Sequence, residues 1–369
     1  MKPIRILQVF ASMERGGAET MIMNIYRKIN KSKIQFDFLV HTSKRCAYDE
    51  EIELMGGRIY NIPKYSYKNH YKYVDAFRSF LISHPEHKIV HGHYFTISPI
   101  YFRVAKKLNR KCIAHSHNAL QNSSLKSILF KALFYPIKHL IDYKFACTNA
   151  AGEWMYGKRV DDFIVLKNAI NVNNFLYDKK LRIELRKEWN LENKFVIGHI
   201  GRFFKQKNHD YLIDIFNEVA KKDENAFLLL VGDGELEPQI KKKVRNLNLE
   251  SKVIFTGSRS DVSNLLHIMD TFVLPSHYEG LGMVLIEAQT SGLKCFASKK
   301  VVPFEAKVTQ LLEFISLDKS PEYWANMIIR ANDDYVRRSM ENEVKLAGYD
   351  VALTSNWLEN FYLEINQKS

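Results

Sequence analysis

Apolar residues along this chain fall into short β-branched runs separated by longer stretches of helical period. Residues 4–10, Ile-Arg-Ile-Leu-Gln-Val-Phe, read as a buried first strand, followed by the Gly16-Gly17 turn and a helix over 19–29. Strand-like runs at 36–41, 88–93, 112–117 and 144–148 then alternate with helical pattern at 75–83, 98–108 and 125–141. A polar, poorly patterned joint follows, Asn168-Ala-Ile-Asn-Val-Asn-Asn-Phe175 and Asp178-Lys-Lys180, and the pattern restarts. Strands are expected at 195–201, 226–231, 253–255, 271–274 and 295–297, with helices at 211–220, 238–247, 262–267 and 284–290. Such alternation predicts βαβ units on parallel sheets: an α/β chain of two doubly wound domains, 1–173 and 174–351. A helix at about 352–369, containing Asn356-Trp-Leu-Glu-Asn-Phe-Tyr-Leu-Glu-Ile365, is expected to cross back to the first domain.

Length and composition agree with that plan. The 369 residues suit two domains of roughly 100–200 residues each. With 46% hydrophobic and 26% charged residues, the chain has the make-up of a folded globular protein. Its four cysteines, Cys46, Cys112, Cys147 and Cys295, are widely spaced with no CxxC pair, so a disulfide scaffold or zinc ribbon is not expected. The apolar start is broken by Arg5 and Gln8, too short and polar for a signal peptide. The longest stretches without Asp, Glu, Lys or Arg, such as 89–102, reach 14 residues, short of the ~18 a membrane span needs.

Charge adds an asymmetry. The formal net charge is +13, from 54 Lys and Arg against 41 Asp and Glu. Residues 1–173 hold 27 and 13 of these, net +14, and residues 174–369 hold 27 and 28, net −1. The first half is therefore expected to face something anionic.

Four segments carry candidate chemistry. In Pro275-Ser-His-Tyr-Glu-Gly-Leu-Gly-Met-Val-Leu-Ile-Glu-Ala288 a strand feeds a glycine turn that opens a helix. Unpaired N–H groups at a helix start attract phosphate or sugar oxygens, and Gly280 and Gly282 permit close approach. Glu279 before the helix and Glu287 one turn into it can accept from sugar hydroxyls; the plain alternative is an acid complementing the helix dipole plus a solvated Glu. His199-Ile-Gly-Arg-Phe-Phe-Lys-Gln-Lys-Asn-His209 places Arg202 and Lys207 beyond a strand end, where cations can clamp a diphosphate or simply be surface charges. Glu14-Arg-Gly-Gly-Ala-Glu19 is a glycine turn into the first helix. Ala114-His-Ser-His-Asn118 ends a strand, and His115 and His117 at i and i+2 share a face, as do His91 and His93. Two His on one strand face are a possible half-set of zinc ligands. No third ligand at metal spacing stands out, so packing histidines and no metal are expected.

Two basic, aromatic segments remain, residues 125–140 and Tyr65-Ser-Tyr-Lys-Asn-His-Tyr-Lys-Tyr73. Either could lie on anionic lipid; for 125–140 an ordinary amphipathic core helix is the competing reading.

Together these motifs resemble the retaining glycosyltransferases of family 4, of the type that assembles exopolysaccharide, capsule and O-antigen. The resemblance spans the chain: the Gly-Gly-Ala-Glu loop, the strand-end His, 168–175, Gly201-Arg-Phe203 with Lys207-Asn208, Val231-Gly-Asp-Gly-Glu235, Phe255-Thr-Gly257 and the Glu279…Glu287 pair. It implies the GT-B plan, two Rossmann-like domains facing a central cleft, with the donor held by the second. It further implies that Arg202 and Lys207 hold the donor diphosphate, Glu287 the ribose hydroxyls and Glu279 the donor sugar. Gly280, Leu281 and Gly282 would supply backbone donors, and Gly16 and Gly17 would close over the phosphates. His117 would be the catalytic-pocket histidine in preference to His115. The catalytic set is thus His117, Glu279, Arg202 and Lys207, with a UDP-sugar as co-substrate, no cofactor and a lipid-linked saccharide as acceptor. The resemblance also implies a cytoplasmic enzyme peripheral on an anionic membrane face, with no nucleic-acid partner. Glu287→Ala and Lys207→Ala are each expected to abolish transfer with thermal unfolding nearly unchanged.

No Asp-x-Asp pair is present, which agrees with a diphosphate neutralised by side-chain cations. One departure is Gly292-Leu-Lys294, where the family commonly has Gly-Leu-Pro, a change at a structural turn. Two rivals are a nucleotide-sugar 2-epimerase, disfavoured by the basic, aromatic first half, and a basic nucleic-acid-binding protein. The latter predicts strongly salt-dependent binding and leaves the second half's constellation unexplained.

Overall fold

The computed structural model describes residues 2–117, 137–157, 163–332 and 335–367. The chain divides into two compact units, residues 1–170 with 350–369, and residues 171–349. Each is built on a wholly parallel sheet covered by helices, as βαβ alternation requires.

The first sheet has seven strands in the order β3-β2-β1-β4-β5-β6-β7. They are Ile59–Asn61 (β3), Ile34–Val40 (β2), Ile4–Val9 (β1), Ile89–Gly92 (β4), Lys111–Ser116 (β5), Tyr143–Ala146 (β6) and Ile164–Val165 (β7). The second has six, in the order β10-β9-β8-β11-β12-β13. These are Val253–Phe255 (β10), Ala226–Val231 (β9), Phe195–Ile200 (β8), Thr271–Leu274 (β11), Lys294–Ser298 (β12) and Leu312–Ile315 (β13). The central strands are buried on both faces, so they read as continuous apolar runs, Ala-Phe-Leu-Leu-Leu-Val in β9 for example.

Periodicity does not anticipate β3, β7 or β13, which have two to four residues at or next to a sheet edge. It also misses the helix Lys179–Glu188 inside the polar joint. Asp178 caps it by accepting from the Lys180 and Leu181 N–H groups at 2.8 and 3.2 Å. Its Arg182 and Arg186 reach Asp270, and Arg186 donates to the Ile268 carbonyl at 2.7 Å. Its inward face mixes partly buried Leu181, Leu185 and Trp189 with Arg182 and Arg186, so the apolar row is short and interrupted by charge. The 125–141 helix lies outside the described residues except for the turn Ile137–Leu140.

The C-terminal helix, Val351–Gln367, belongs to the first unit and joins its core through Val351, Leu358, Tyr362 and Ile365. Glu359 pins it by accepting from Lys33 Nζ and the Asn30 N–H, both at 3.0 Å. Counted over the observed units, the first holds 28 Lys and Arg against 16 Asp and Glu, net +12, and the second 26 against 25, net +1. Among the described residues no helix is long and apolar enough to cross a membrane. All four cysteines are buried free thiols.

Candidate functional site

In an open parallel sheet a crevice forms beyond the carboxyl ends of the strands where the strand order reverses. In the second unit that reversal falls between β8 and β11, adjacent in space although β9 and β10 intervene in sequence. β8 runs into Gly201, Arg202 and Lys207, and β11 runs into 275–282, so two distant motifs arrive at one place.

They are stitched together. The His277 N–H donates to the Gln206 carbonyl at 2.8 Å, and Asn208 Nδ2 to the Pro275 carbonyl at 3.0 Å. Asn208 itself has φ 56°, a left-handed turn that asparagine tolerates well, and starts the helix His209–Lys222. The Lys207 stem lies over Gly201, where an added Cβ would sit 3.1 Å from Cδ. Its Nζ donates to Glu279 Oε1 at 2.6 Å, and the same oxygen accepts from Ser276 Oγ at 2.7 Å. The Ser276 carbonyl in turn accepts from the buried Ser298 hydroxyl at 2.7 Å. Side-chain exposure is only 17% for Lys207 and 5% for Glu279, so each charge depends on the other. That alters one expectation: removing Lys207 strands a buried carboxylate, so Lys207→Ala should lower stability as well as activity.

A second glycine loop supports the first from beneath. Phe203 N–H donates to the Asp233 carbonyl at 2.7 Å, and Leu236 N–H to the Phe203 carbonyl at 3.0 Å. Gly232 has φ 138°, and a Cβ there would stand 2.3 Å from the Gly201 carbonyl oxygen. Gly232→Ala should therefore destabilise the protein by about 1–3 kcal/mol and displace the Arg202–Lys207 loop. A chemical-denaturation midpoint equal to wild type would contradict this close packing.

At the helix Met283–Thr290, Gly282 serves as N-cap in the left-handed region, φ 75° and ψ 58°, with no side-chain cap. The leading N–H groups of such an end are free for an anionic or hydroxylic ligand. A side chain at Gly280 would meet nothing within 4 Å, so the loop is open there. Leu281 is buried beside it. Glu287 follows one turn along, packed so that desolvation raises its carboxyl to about 7. Arg202 is exposed, its guanidinium 4.9 Å from the centre of the Phe204 ring.

Gly16, Gly17 and His117 belong to the first unit. Gly16 caps the helix Gly17–Lys28, with its carbonyl accepting from Thr20 N–H at 2.8 Å. Glu19 folds back over it, 2.2 Å from where a Gly16 Cβ would be, and burial raises that carboxyl. This helix end thus already carries an acid of its own, whereas Gly17 faces open space. His117 follows β5, with Nε2 2.8 Å from His93 Nδ1. Burial pushes its imidazole down to about 3, so at neutral pH it acts as a hydrogen-bonding group and not as a fixed positive charge.

The strand register corrects the expectation that the His pairs lack a third ligand. β4 and β5 are neighbours with Gly92 beside Ala114, which brings His91, His93 and His115 together. Sequence reasoning also missed Ser276, Gln8 and Tyr362. Ser276 sat in a motif already singled out, but nothing in its spacing shows that it holds Glu279. Gln8 was visible as a polar residue in an apolar strand; Tyr362 had no signal at all.

The chain is similar to known glycosyltransferases. Residues 15–174 match the family model Glycosyltransferase Family 4, and residues 182–346 match Glycosyl transferases group 1. The chain is 32% identical to a Bacillus subtilis (strain 168) protein named as a glycosyltransferase, EpsF, over 97% of this chain and 96% of that one. It is 24% identical to the capsular polysaccharide biosynthesis glycosyltransferase CapH of Staphylococcus aureus, over 98% and 99% of the two chains. Among solved structures, Anabaena Alr3699/HepE in complex with UDP superposes with a TM-score of 0.80 at 18% identity, covering 99% of this chain and all of that one.

Proposed function

The chain belongs to the family 4 glycosyltransferases, and from that premise we propose that it extends a bacterial surface polysaccharide, moving a sugar from a UDP-sugar to a lipid-linked saccharide with retention of configuration. The observation that carries this reading is the Lys207–Glu279 contact at the β8/β11 reversal, between a cationic loop and an uncapped, glycine-led helix start. A donor diphosphate there meets Arg202 and Lys207, and the charge that develops on the departing UDP is stabilised by groups already in place. Among the described residues both of Glu279's side-chain bonds use Oε1, which leaves Oε2 to accept from a donor-sugar hydroxyl. Glu287 accepts from the ribose hydroxyls, and neutral His117 hydrogen-bonds the reacting sugar. HepE was solved with UDP and CapH is named for capsular polysaccharide; both point the same way.

The test is to incubate the protein with a panel of nucleotide sugars and measure UDP release and sugar transfer to bacterial lipid extracts. Absence of donor binding and turnover with every UDP-sugar would reject the reading.

The acceptor side is proposed from the first unit, whose net charge is +12. Tyr67 and Tyr71 are 88% and 87% exposed, among the exposed Lys64, Lys68 and Lys72. Exposed aromatics among lysines suit an anionic bilayer surface on the cytoplasmic face. Residues 125–136, the other membrane candidate, lie outside the described residues. Lys68→Glu/Lys72→Glu should weaken co-sedimentation with anionic liposomes roughly tenfold or more and leave UDP-sugar binding intact. Wild-type binding should also fall with added salt; equal binding to neutral liposomes would contradict the proposal.

A further inference from the structure

The first sheet buries a ladder of polar side chains where a core would ordinarily be apolar. β1, β4 and β5 are adjacent, and their register sets Gln8 beside His91 and Gly92 beside Ala114. Strand alternation then turns Gln8, His91, His93 and His115 to one face, the face that Tyr362 covers from the C-terminal helix. His91 and His115 are essentially fully buried and His93 is 8% exposed. Their ring centres lie 4.4 Å (His91–His93), 5.3 Å (His93–His115) and 5.4 Å (His91–His115) apart. One ring nitrogen from each of the three lies within 4.8 Å of the other two.

The hydrogen bonds around this cluster are arranged from outside. His91 Nδ1 lies 2.6 Å from Tyr362 Oη, and His93 Nε2 lies 2.8 Å from Gln8 Oε1. Inside, His91 Nε2 and both nitrogens of His115 are buried and have no partner among the described residues. Buried polar atoms are rarely left without a partner, and a single ion can take His91 Nε2 together with one of the two His115 nitrogens.

We propose that His91, His93 and His115 form a binding site for one zinc ion, separate from the donor residues and independent of the glycosyl-transfer reading. Three imidazoles that each bring one ring nitrogen within 4.8 Å of the others are a ligand set suited to Zn²⁺. A metal-bound histidine typically gives its other nitrogen to an oxygen, which fixes tautomer and ring orientation. Gln8 and Tyr362 already stand in those positions, leaving His91 Nε2 for the ion, while His93 Nδ1 gives up its 2.8 Å contact with His117 Nε2 to reach it. An ion here ties β4 to β5 at their carboxyl ends, and the expectation of a metal-free protein is revised for this unit alone.

The experiment uses the full-length protein, both purified from zinc-supplemented culture and refolded after chelation with Zn²⁺ or Co²⁺. Expected are about one metal per chain, a visible ligand-field band with Co²⁺, and three or four nitrogen ligands at about 2.0–2.1 Å by zinc-edge X-ray absorption. Metal should raise the melting temperature of the wild type and not that of a His91→Gln/His115→Gln variant. Tyr362→Phe should keep the stoichiometry and weaken affinity by about 10–100-fold. Less than about a tenth of an equivalent in both preparations would overturn the proposal, since ordered water would then satisfy the nitrogens. So would a sulfur- or oxygen-dominated shell, or undiminished affinity in the double variant. Should that variant fail to fold, X-ray absorption on the wild type still decides.

Discussion

Lys207→Ala should lower kcat for sugar transfer by roughly 10²–10³-fold, the loss seen when one preorganised stabiliser of developing charge is removed. Lys207 is positioned from three directions: its stem rests on Gly201, its Nζ is held by Glu279, and its loop is tied to the β11 loop through Asn208 and Pro275. It therefore reaches a diphosphate without first being ordered. The same substitution leaves Glu279, its side chain 5% exposed, with only the Ser276 hydroxyl as partner among the described residues, and should destabilise the protein by about 1–3 kcal/mol. The two effects separate in Lys207→Ala/Glu279→Gln. Neutralising the stranded acid should recover most of the melting temperature and none of the activity. Near-normal transfer by either variant would show that Lys207 does not serve the leaving group. A double variant no more stable than the single one would show that the ion pair is not what holds the loop.

Glu287→Gln should weaken UDP-sugar binding by roughly 10–150-fold, because hydrogen bonds to a charged acceptor are worth about 1.5–3 kcal/mol. It should also change the pH dependence, and the sign can be worked out. Desolvation raises the Glu287 carboxyl to about 7, above the ~4.3 of an exposed glutamate. The folded protein therefore holds this proton more tightly than the unfolded chain. The stabilisation that results is complete below pH ~4.3 and is lost as pH climbs through 7. Glutamine cannot titrate, so the stability difference between wild type and Glu287→Gln should shift against the wild type between pH 5 and 8. Donor binding runs the opposite way. Ribose hydroxyls prefer the carboxylate, so wild-type affinity should rise with pH through 7 while that of Glu287→Gln stays flat. UDP-sugar is the right probe, since its diphosphate has no free terminal group titrating in that range. Parallel pH profiles for the two proteins would remove Glu287 from the donor site.

The long central strands and the helices that follow them were legible in sequence because burial on both sides leaves an uninterrupted apolar run. The short strands β3, β7 and β13 were not, since two to four residues carry too little periodicity. The helix Lys179–Glu188 was hidden for a different reason: its short apolar row, Leu181, Leu185 and Trp189, is set among charges, and Arg182 and Arg186 anchor it on Asp270.

At the donor site, the sequence by itself determined which residue types stand after β8 and after β11. Glycines in a turn, cations beyond a strand end and an acid before a helix are local features, written within a few consecutive positions. Only the tertiary structure decided that these two loops touch. β8 and β11 become neighbours through the reversal of strand order, a non-local event that no spacing encodes. Ser276 on Glu279 and the mutual dependence of Lys207 and Glu279 follow from that event, and they turn a purely functional expectation into one about stability as well. The histidines behave alike. Each His-x-His pair was visible as a two-residue repeat on one strand. The third nitrogen, and the Gln8 and Tyr362 oxygens behind it, came from parallel register across β1, β4 and β5 and from a helix near the end of the chain, because side chains on separate strands meet only once the sheet has formed.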